Sequence, residues 1–407
     1  MAIFNPFAPS YRVNPYRQLG RLQESDPVYR SDLMRGWLLT RYADCIAVLR
    51  DPQLFSSDAS NARGALAHAI QERIESSPLG AVATVLTSDP PVHARLRGVV
   101  NRAFTPRRVE AMRPHIEEVA RQLLDEALSE ANGAFDVMTG LAQPLPVIVI
   151  AEMLGVSPDD RNDFRRWSDA IARTTDILAN EDAIREAREA TQALIDYFNA
   201  VVIDRRAEPR EDLMSALVYA ADEGDRLSHE ELLAFAVLLL VAGNETTTNL
   251  IGNGLLALAA NPDQLKRLRG EPELMPLAIE ELLRFDSPVQ GVVRFATADT
   301  EIGGHSIAQG DTLLLMLGMA NRDPRQFDDA DRLDLGREEN RHLAFGLNVH
   351  YCLGAPLARL EAATAFHALF ERFDSFEVEG EGLERGGTFL LRGPSRLPLR
   401  ISSVAAN

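Results

Sequence analysis

The stretch "SHEELLAFAVLLLVAGNETTTNLIGNGLLALAANP", Ser228 to Pro262, constrains this chain more than any other. Ser228 and Glu231 stand at capping-box spacing and Asn261-Pro262 closes the segment, so both ends of a helix are marked. At 1.5 Å per residue, roughly thirty residues make a rod of about 45 Å, long enough to cross a domain. Its first half is apolar all round, which suits a helix buried in protein. The uninterrupted apolar run, Leu232 to Gly243, is too short for a bilayer. A buried central helix is therefore expected. Helical patterns dominate from about Pro106 to Phe285, while β-prone runs are short: "GWLLT" (36–40), "VVRFAT" (292–297), "TLLLML" (312–317), "TFLL" and "LPLRI" near the C-terminus. The expected fold class is mainly α with a minor β region.

With 407 residues, 46% of them hydrophobic, the chain can fill a large core. No repeat, low-complexity tract or Gly/Ser linker marks a boundary, so one domain over 1–407 is the simpler reading. Neither a signal-like N-terminus nor a long apolar span stands out, and a cytoplasmic, monomeric protein is expected. Forty-two basic residues against 60 acidic ones give a net charge of −18, which argues against nucleic acid or an anionic membrane as partner. Basic residues nevertheless gather at Arg95, Arg97, Arg102, Arg107, Arg108 and Arg113, with Glu110 among them. Such a run reads equally as a solvated helix face.

Inside the central segment, "AGNETT" (242–247) sets a carboxylate and a hydroxyl among apolar residues. Ala242 and Thr246, four apart, share a face with Glu245 beside them. A mid-helix Thr often turns its hydroxyl onto a carbonyl one turn back, and a buried carboxylate is costly unless paired. Two readings stay open: a kink satisfied internally, or a groove where acid and hydroxyl hand protons to a ligand. "EELLR", with Glu281 and Arg284 three apart, reads as a routine ion pair.

Cys45 and Cys352 are the only cysteines, and neither lies in a zinc-type cluster. Cys352 sits in "HLAFGLNVHYCLGAPLAR" (342–359), between an aromatic-glycine pair and a proline-marked helix start. Amides of that bend and helix start would lower its pKa and stabilise a thiolate. A buried cysteine acting as a small hydrophobe, or a cysteine hydrolase nucleophile, are the alternatives; no obvious base and orienting carboxylate adjoin it.

The stretch "FGLNVHYCLG" resembles the haem-binding signature of cytochrome P450. "AGNETT" is similar to the oxygen-activation segment of that family and "EELLR" to its ExxR helix. "DADRLD" (329–334), "DPPVHARLR" (89–97), "VVRFATADTEIGG" and "TRYADCIAVLRDPQLFSS" fit other segments in the family's order. The resemblance implies the P450 fold, a long central helix over haem b, a cysteine loop on the proximal side, and insertion of one atom of O2 into an apolar small molecule. Steroids, terpenoids, polyketides or macrolides, and fatty-acid-like compounds are the substrate classes it admits.

By the same resemblance Cys352 would ligate the haem iron, the ligand type known for this family. His93, Arg97, Arg294 and His350 would bind the propionates. Glu245 and Thr246 would deliver protons, with Gly243 opening the helix. Phe345 would screen the sulfur, and Leu86, Phe104, Ala242, Ala344, Gly346, Gly354 and Ala358 would complete the haem contacts. Glu281, Arg284 and Arg332 would form a structural cluster. Val237, Leu238, Ala242, Val289, Val292, Val293 and Phe389 would line the substrate pocket. An acidic ferredoxin or flavodoxin would dock at Arg102, Arg107, Arg108 and Arg113. A peroxide-using peroxygenase and a non-enzymatic haem sensor or binding protein are the alternatives. The family's second loop glycine is replaced by Asn348, the non-glycine residue type best able to adopt a left-handed backbone.

Overall fold

The computed structural model describes residues 4–129, 134–175, 180–222, 227–379, 385–386 and 388–401. Helices carry most of it, and the longest is His229–Ala260. Both ends lie where the sequence marks them: Ser228 and Glu231 form a reciprocal capping box, and Asn261 caps the far end. The segment as a whole is long and apolar enough to cross a membrane by length and composition, beyond what the run Leu232 to Gly243 indicates. Instead, 61% of its most apolar window is buried inside the protein.

Close packing explains the composition of the helix's second half. A Cβ at Gly252 would fall 2.7 Å from Pro394, and one at Gly254 2.6 Å from Phe366. Buried polar side chains there are spent on neighbouring backbone. Thr248 donates to the Ala142 carbonyl at 2.9 Å, and Asn253 Nδ2 donates to the carbonyls of Asp286 at 3.1 Å and Arg392 at 2.9 Å. The helix thereby fixes the C-terminal loop and the end of helix Met275–Phe285.

A five-stranded sheet stands beside the helices in the order Val28–Ser31, Gly36–Leu39, Thr312–Leu315, Val292–Ala296, Phe55–Ser56. The pairings are antiparallel except for Gly36–Leu39 against Thr312–Leu315, where Trp37 faces Leu313 in parallel. Arg294 also pairs with Leu313, so the sheet register sets where that arginine stands. Pro398–Ile401 pairs between Ala134–Asp136 and Phe376–Val378. "TFLL" forms no strand; among the described residues it makes one isolated bridge, Leu391 with Val289.

Three apolar clusters form around this frame. The largest joins the central helix to its helical neighbours and contains Phe104, Val237 and Ala344. A second lies under the sheet, with Val292 packed against it. The third gathers Phe4, Tyr11, Leu38, Leu314 and Met316, with Val293 and Phe389 against it. The pocket lining expected from sequence is thus divided. Adjacent strand residues Val292 and Val293 point to opposite faces, and the Phe389 ring is taken up by Phe4 and Tyr11 at 5.8 and 5.9 Å.

Candidate functional site

The cysteine loop runs from His342 to the helix Ala355–Arg372, one residue earlier than Pro356 marks it. Two residues take left-handed backbone: Gly346 at φ 68° and Asn348 at φ 60°. Asn348 thus adopts the conformation a glycine would supply, and its Nδ2 also donates to the Arg50 carbonyl at 3.1 Å. Between these residues the chain doubles back, so that the Cys352 amide donates to the Phe345 carbonyl at 2.8 Å. Replacing Asn348 by valine, which resists this region, is expected to cost about 1–2 kcal/mol in a denaturant titration, whereas glycine should cost less.

Cys352 meets the amides of Gly354 and Ala355, and with the charges of Arg97 and Arg359 these pull its pKa down. Burial pushes it up and outweighs them, so the thiol's pKa lies above its ordinary value. This corrects the sequence expectation: helix-start amides alone do not make a thiolate here. A directly coordinated cation would, because a ligating thiol loses its proton outright. Among the described residues no group of three or more His, Cys, Asp or Glu could hold a metal ion.

Above the loop lies a lining short of anions. His93 is 2% exposed and its Nε2 is buried without a partner. Its ring sits 4.4 Å from that of His350, whose Nε2 meets the Ser57 hydroxyl at 3.0 Å. Burial, then Arg294 and His93, hold the His350 pKa down to about 4. Burial also lowers Arg294 to about 10 and depresses Arg97 and His93. Asp89 is the acid that counters this for His93, Arg294 and His350, and it is already bonded to the Ser56 hydroxyl and, at 2.9 Å, the Ser57 amide. Four basic side chains in a partly dry site with an unpartnered imidazole nitrogen fit a ligand carrying carboxylates, as haem does. Ser57 and Asp89 were missed from sequence, although both lie in quoted segments; only the folded sheet edge brings them to His350.

In the central helix, Thr246 Oγ1 donates to the Ala242 carbonyl at 2.9 Å, the back-bond the pattern suggested. Ala242 is nevertheless exposed, and Val241, Gly243, Glu245 and Thr246 are half-buried, so the helix leaves a less covered notch at this turn. Glu245 has a buried Oε2 with no partner. Burial, then the Asp169 carboxylate, push its pKa up to about 7. Asn244 holds Ser168 at 3.0 Å and also bonds Asp169, which links helix Arg161–Ala172 to the notch. A further acid was not foreseen: Glu361, 1% exposed, bonds Thr247 and is pushed up to about 8 by burial.

Glu281 and Arg284, both fully buried, pair through Nε–Oε2 and Nη2–Oε1 contacts of 2.8 Å each. This is no surface pair. Arg284 donates onward to the carbonyls of Asn321, Ala330 and Arg332 at 2.9, 2.7 and 3.1 Å. The second arginine on Glu281 is Arg337, at 3.1 Å, joined by Asn340 at 3.0 Å and the Asp334 amide at 2.9 Å. Arg332, expected in that place, contributes its carbonyl, and its side chain is exposed. A turn through Asp329 at φ 47°, with the Arg332 amide bonded to the Asp329 carbonyl, presents it this way. Arg337→Ala is expected to destabilise by about 1–3 kcal/mol, because Glu281 loses one charged donor but keeps Arg284, and Arg332→Ala by under about 0.5 kcal/mol, measured by denaturant unfolding.

Leu86 is 61% exposed, and Gly346, Gly354 and Ala358 are half-buried along the loop and its helix. Leu238 and Val289 are half-buried as well. Arg102, Arg107 and Arg108 are exposed; Arg113 is half-buried and tied to Glu110 at 2.6 Å, so it is partly neutralised.

The chain also resembles known proteins over most of its length. The family match is Cytochrome P450, over residues 44–386. The polyketide biosynthesis cytochrome P450 PksS of Bacillus subtilis is 40% identical, covering 98% of this chain and 99% of that protein. Its solved structure superposes with a TM-score of 0.89 at 38% identity over 98% of this chain and 100% of that one. Cytochrome P450 monooxygenase PikC of Streptomyces venezuelae is 41% identical over 96% of this chain and 92% of that protein. 6-Deoxyerythronolide B hydroxylase of Saccharopolyspora erythraea is 39% identical over 96% and 97%.

Proposed function

The chain belongs to the cytochrome P450 family, and from that footing we propose that it hydroxylates or epoxidises an apolar, polyketide-derived or macrolide-like compound, with Cys352 holding the haem. When bound, haem with a thiolate ligand supplies the oxygen activation common to the family. Bacterial members use small-molecule substrates and redox partners such as ferredoxins. The substrate class rests on the relatives: PksS is named for polyketide biosynthesis and the Saccharopolyspora enzyme for 6-deoxyerythronolide B.

One observation carries the assignment of the chain's own residues. His93 Nε2 is a buried, unpartnered ring nitrogen beside His350, which in turn feels the Arg294 charge, and Arg97 on the same helix acts on the Cys352 sulfur. His93, Arg97, Arg294 and His350 would hold the two propionates of the haem. Glu245 stores a proton at Oε2. Thr246, whose hydroxyl is parked on the Ala242 carbonyl, swings to pass that proton into the notch. Glu281, Arg284 and Arg337 hold the cysteine loop without touching the chemistry. Exposed Arg102, Arg107 and Arg108 attract an acidic ferredoxin or flavodoxin to an otherwise acidic protein, and that encounter weakens with salt.

A spectral screen of the ferric protein against macrolactones, steroids, terpenoids and fatty acids tests the substrate class. A macrolactone should shift the Soret band, and with a surrogate ferredoxin system yield a product heavier by one oxygen. Shifts confined to another class, or a product without added oxygen, would refute it.

A further inference from the structure

Phe345, the aromatic ring of the cysteine loop, is gripped by side chains that the reading above leaves unused. Arg359, on helix Ala355–Arg372, places its guanidinium carbon 4.5 Å from the ring centre. His342 and Tyr351 approach the same ring at 6.0 and 6.3 Å. Arg359 is itself locked in a fork. Its Nε donates to Glu280 Oε1 at 2.6 Å and its Nη2 to Oε2 at 2.8 Å, while Nη1 reaches the Tyr351 hydroxyl at 3.3 Å. His342, whose side chain is 4% exposed, meets the same carboxylate at 3.1 Å through Nε2. Its Nδ1 accepts the Ala344 amide at 3.2 Å, which leaves Nε2 to carry the proton. Glu280 and Glu281 are neighbours on one helix with separate duties. Glu281 closes on Arg284 and Arg337, and Glu280 closes on the cysteine loop.

We propose that Arg359 is a positioning residue that sets the reduction potential of the haem held by Cys352, with Glu280 as its opposing charge. The proposal rests on the ligation by Cys352 advanced above. A two-point fork to a carboxylate fixes a guanidinium in direction as well as distance, which a lone cation on a flexible stem does not achieve. Stacked on Phe345, that fixed charge acts on the Cys352 sulfur. Reduction adds one negative charge to the centre, so a nearby cation stabilises the reduced state and raises the potential, and a nearby anion does the reverse. The bidentate contact and the partial burial of Arg359 and Glu280, at 34% and 24% side-chain exposure, keep both effects from being washed out by solvent.

Spectroelectrochemical titration of the substrate-free haem protein distinguishes this from a merely structural clamp. Arg359→Met should move the Fe(III)/Fe(II) equilibrium about tenfold toward the ferric form, a fall of about 59 mV for one electron. Glu280→Gln, which removes the anion and leaves the cation, should raise the potential. Arg359→Lys, which keeps the charge but loses the fork, should give a potential between those of the unaltered protein and Arg359→Met. An unchanged potential in Arg359→Met, or displacement of Arg359→Met and Glu280→Gln in the same direction, overturns the proposal, since a clamp that only held the loop would loosen it in both. Should Arg359→Met fail to incorporate haem, Glu280→Gln decides by sign: a potential unchanged or lowered there also overturns it. A normal thiolate-type spectrum in the unaltered protein with no opposite-signed shifts defeats the tuning role alone. Absence of that spectrum in the unaltered protein brings down the ligation, and the tuning role with it.

Discussion

Cys352→Ser abolishes the long-wavelength Soret band of the reduced carbonyl complex and with it monooxygenation, while leaving a folded protein. The expectation follows from the balance at the sulfur. Amides from Gly354 and Ala355 and the charges of Arg97 and Arg359 favour the anion, yet burial outweighs them. The anionic form therefore depends on the metal, and a hydroxyl, far less acidic than a thiol and a harder donor, does not provide the same electron push. The side chain is similar in size and the loop bends through Gly346 and Asn348, not through the sulfur, so far-ultraviolet circular dichroism should be unchanged. A serine variant that retains the band would refute the ligand assignment.

Glu245→Gln and Thr246→Ala cut product formation in different ways. A positioned proton donor contributes about 10²–10⁴-fold, so the glutamine variant should lose turnover in that range with substrate binding intact. Thr246→Ala should keep the thiolate-type spectrum and consume reductant at a comparable rate, releasing peroxide in place of product. Coupling undiminished in the alanine variant would remove Thr246 from the proton route.

The pH dependence follows from Glu245. Its folded pKa, pushed up to about 7 from 4.5, means that the native state holds a proton the unfolded chain releases. Turnover limited by this donor should fall as pH rises through about 7. Stability should also fall between about pH 4.5 and 7, because ionising a buried, unpartnered carboxyl costs up to about 3 kcal/mol. Glu245→Gln should be the more stable protein at pH 8 by denaturant titration, and flatter in its pH response. An unchanged pH slope in that variant would remove Glu245 as the titrating group.

The segments that could be read from the chain alone are those whose signals are local. The central helix ends at the residues its capping box and Asn-Pro pair dictate, because both ends are satisfied by contacts within a few positions. Asn348 takes the left-handed backbone its side chain permits. His93 and Arg97 fall on one side of a helix because they are four apart. Where reasoning failed, the partner came from a distant part of the chain. Arg337, five residues beyond Arg332, reaches Glu281 because the turn at Asp329 decides which arginine points inward. Phe389 stacks on Phe4 and Tyr11, and no spacing in the sequence pairs the two ends of the chain.

By itself the sequence determined a buried central helix with a weakened turn at 242–246, a cysteine loop bent by Gly346 and Asn348, and short strands at Gly36, Val292 and Thr312. Those outcomes depend on backbone propensity, capping and periodicity, which act over a few residues. Tertiary structure alone decided the charge states. Whether Cys352, Glu245, His350 and Arg294 are charged depends on how much water is excluded and which distant charges face them. Desolvation is a property of the packed surroundings, and a linear chain carries no record of it until it folds.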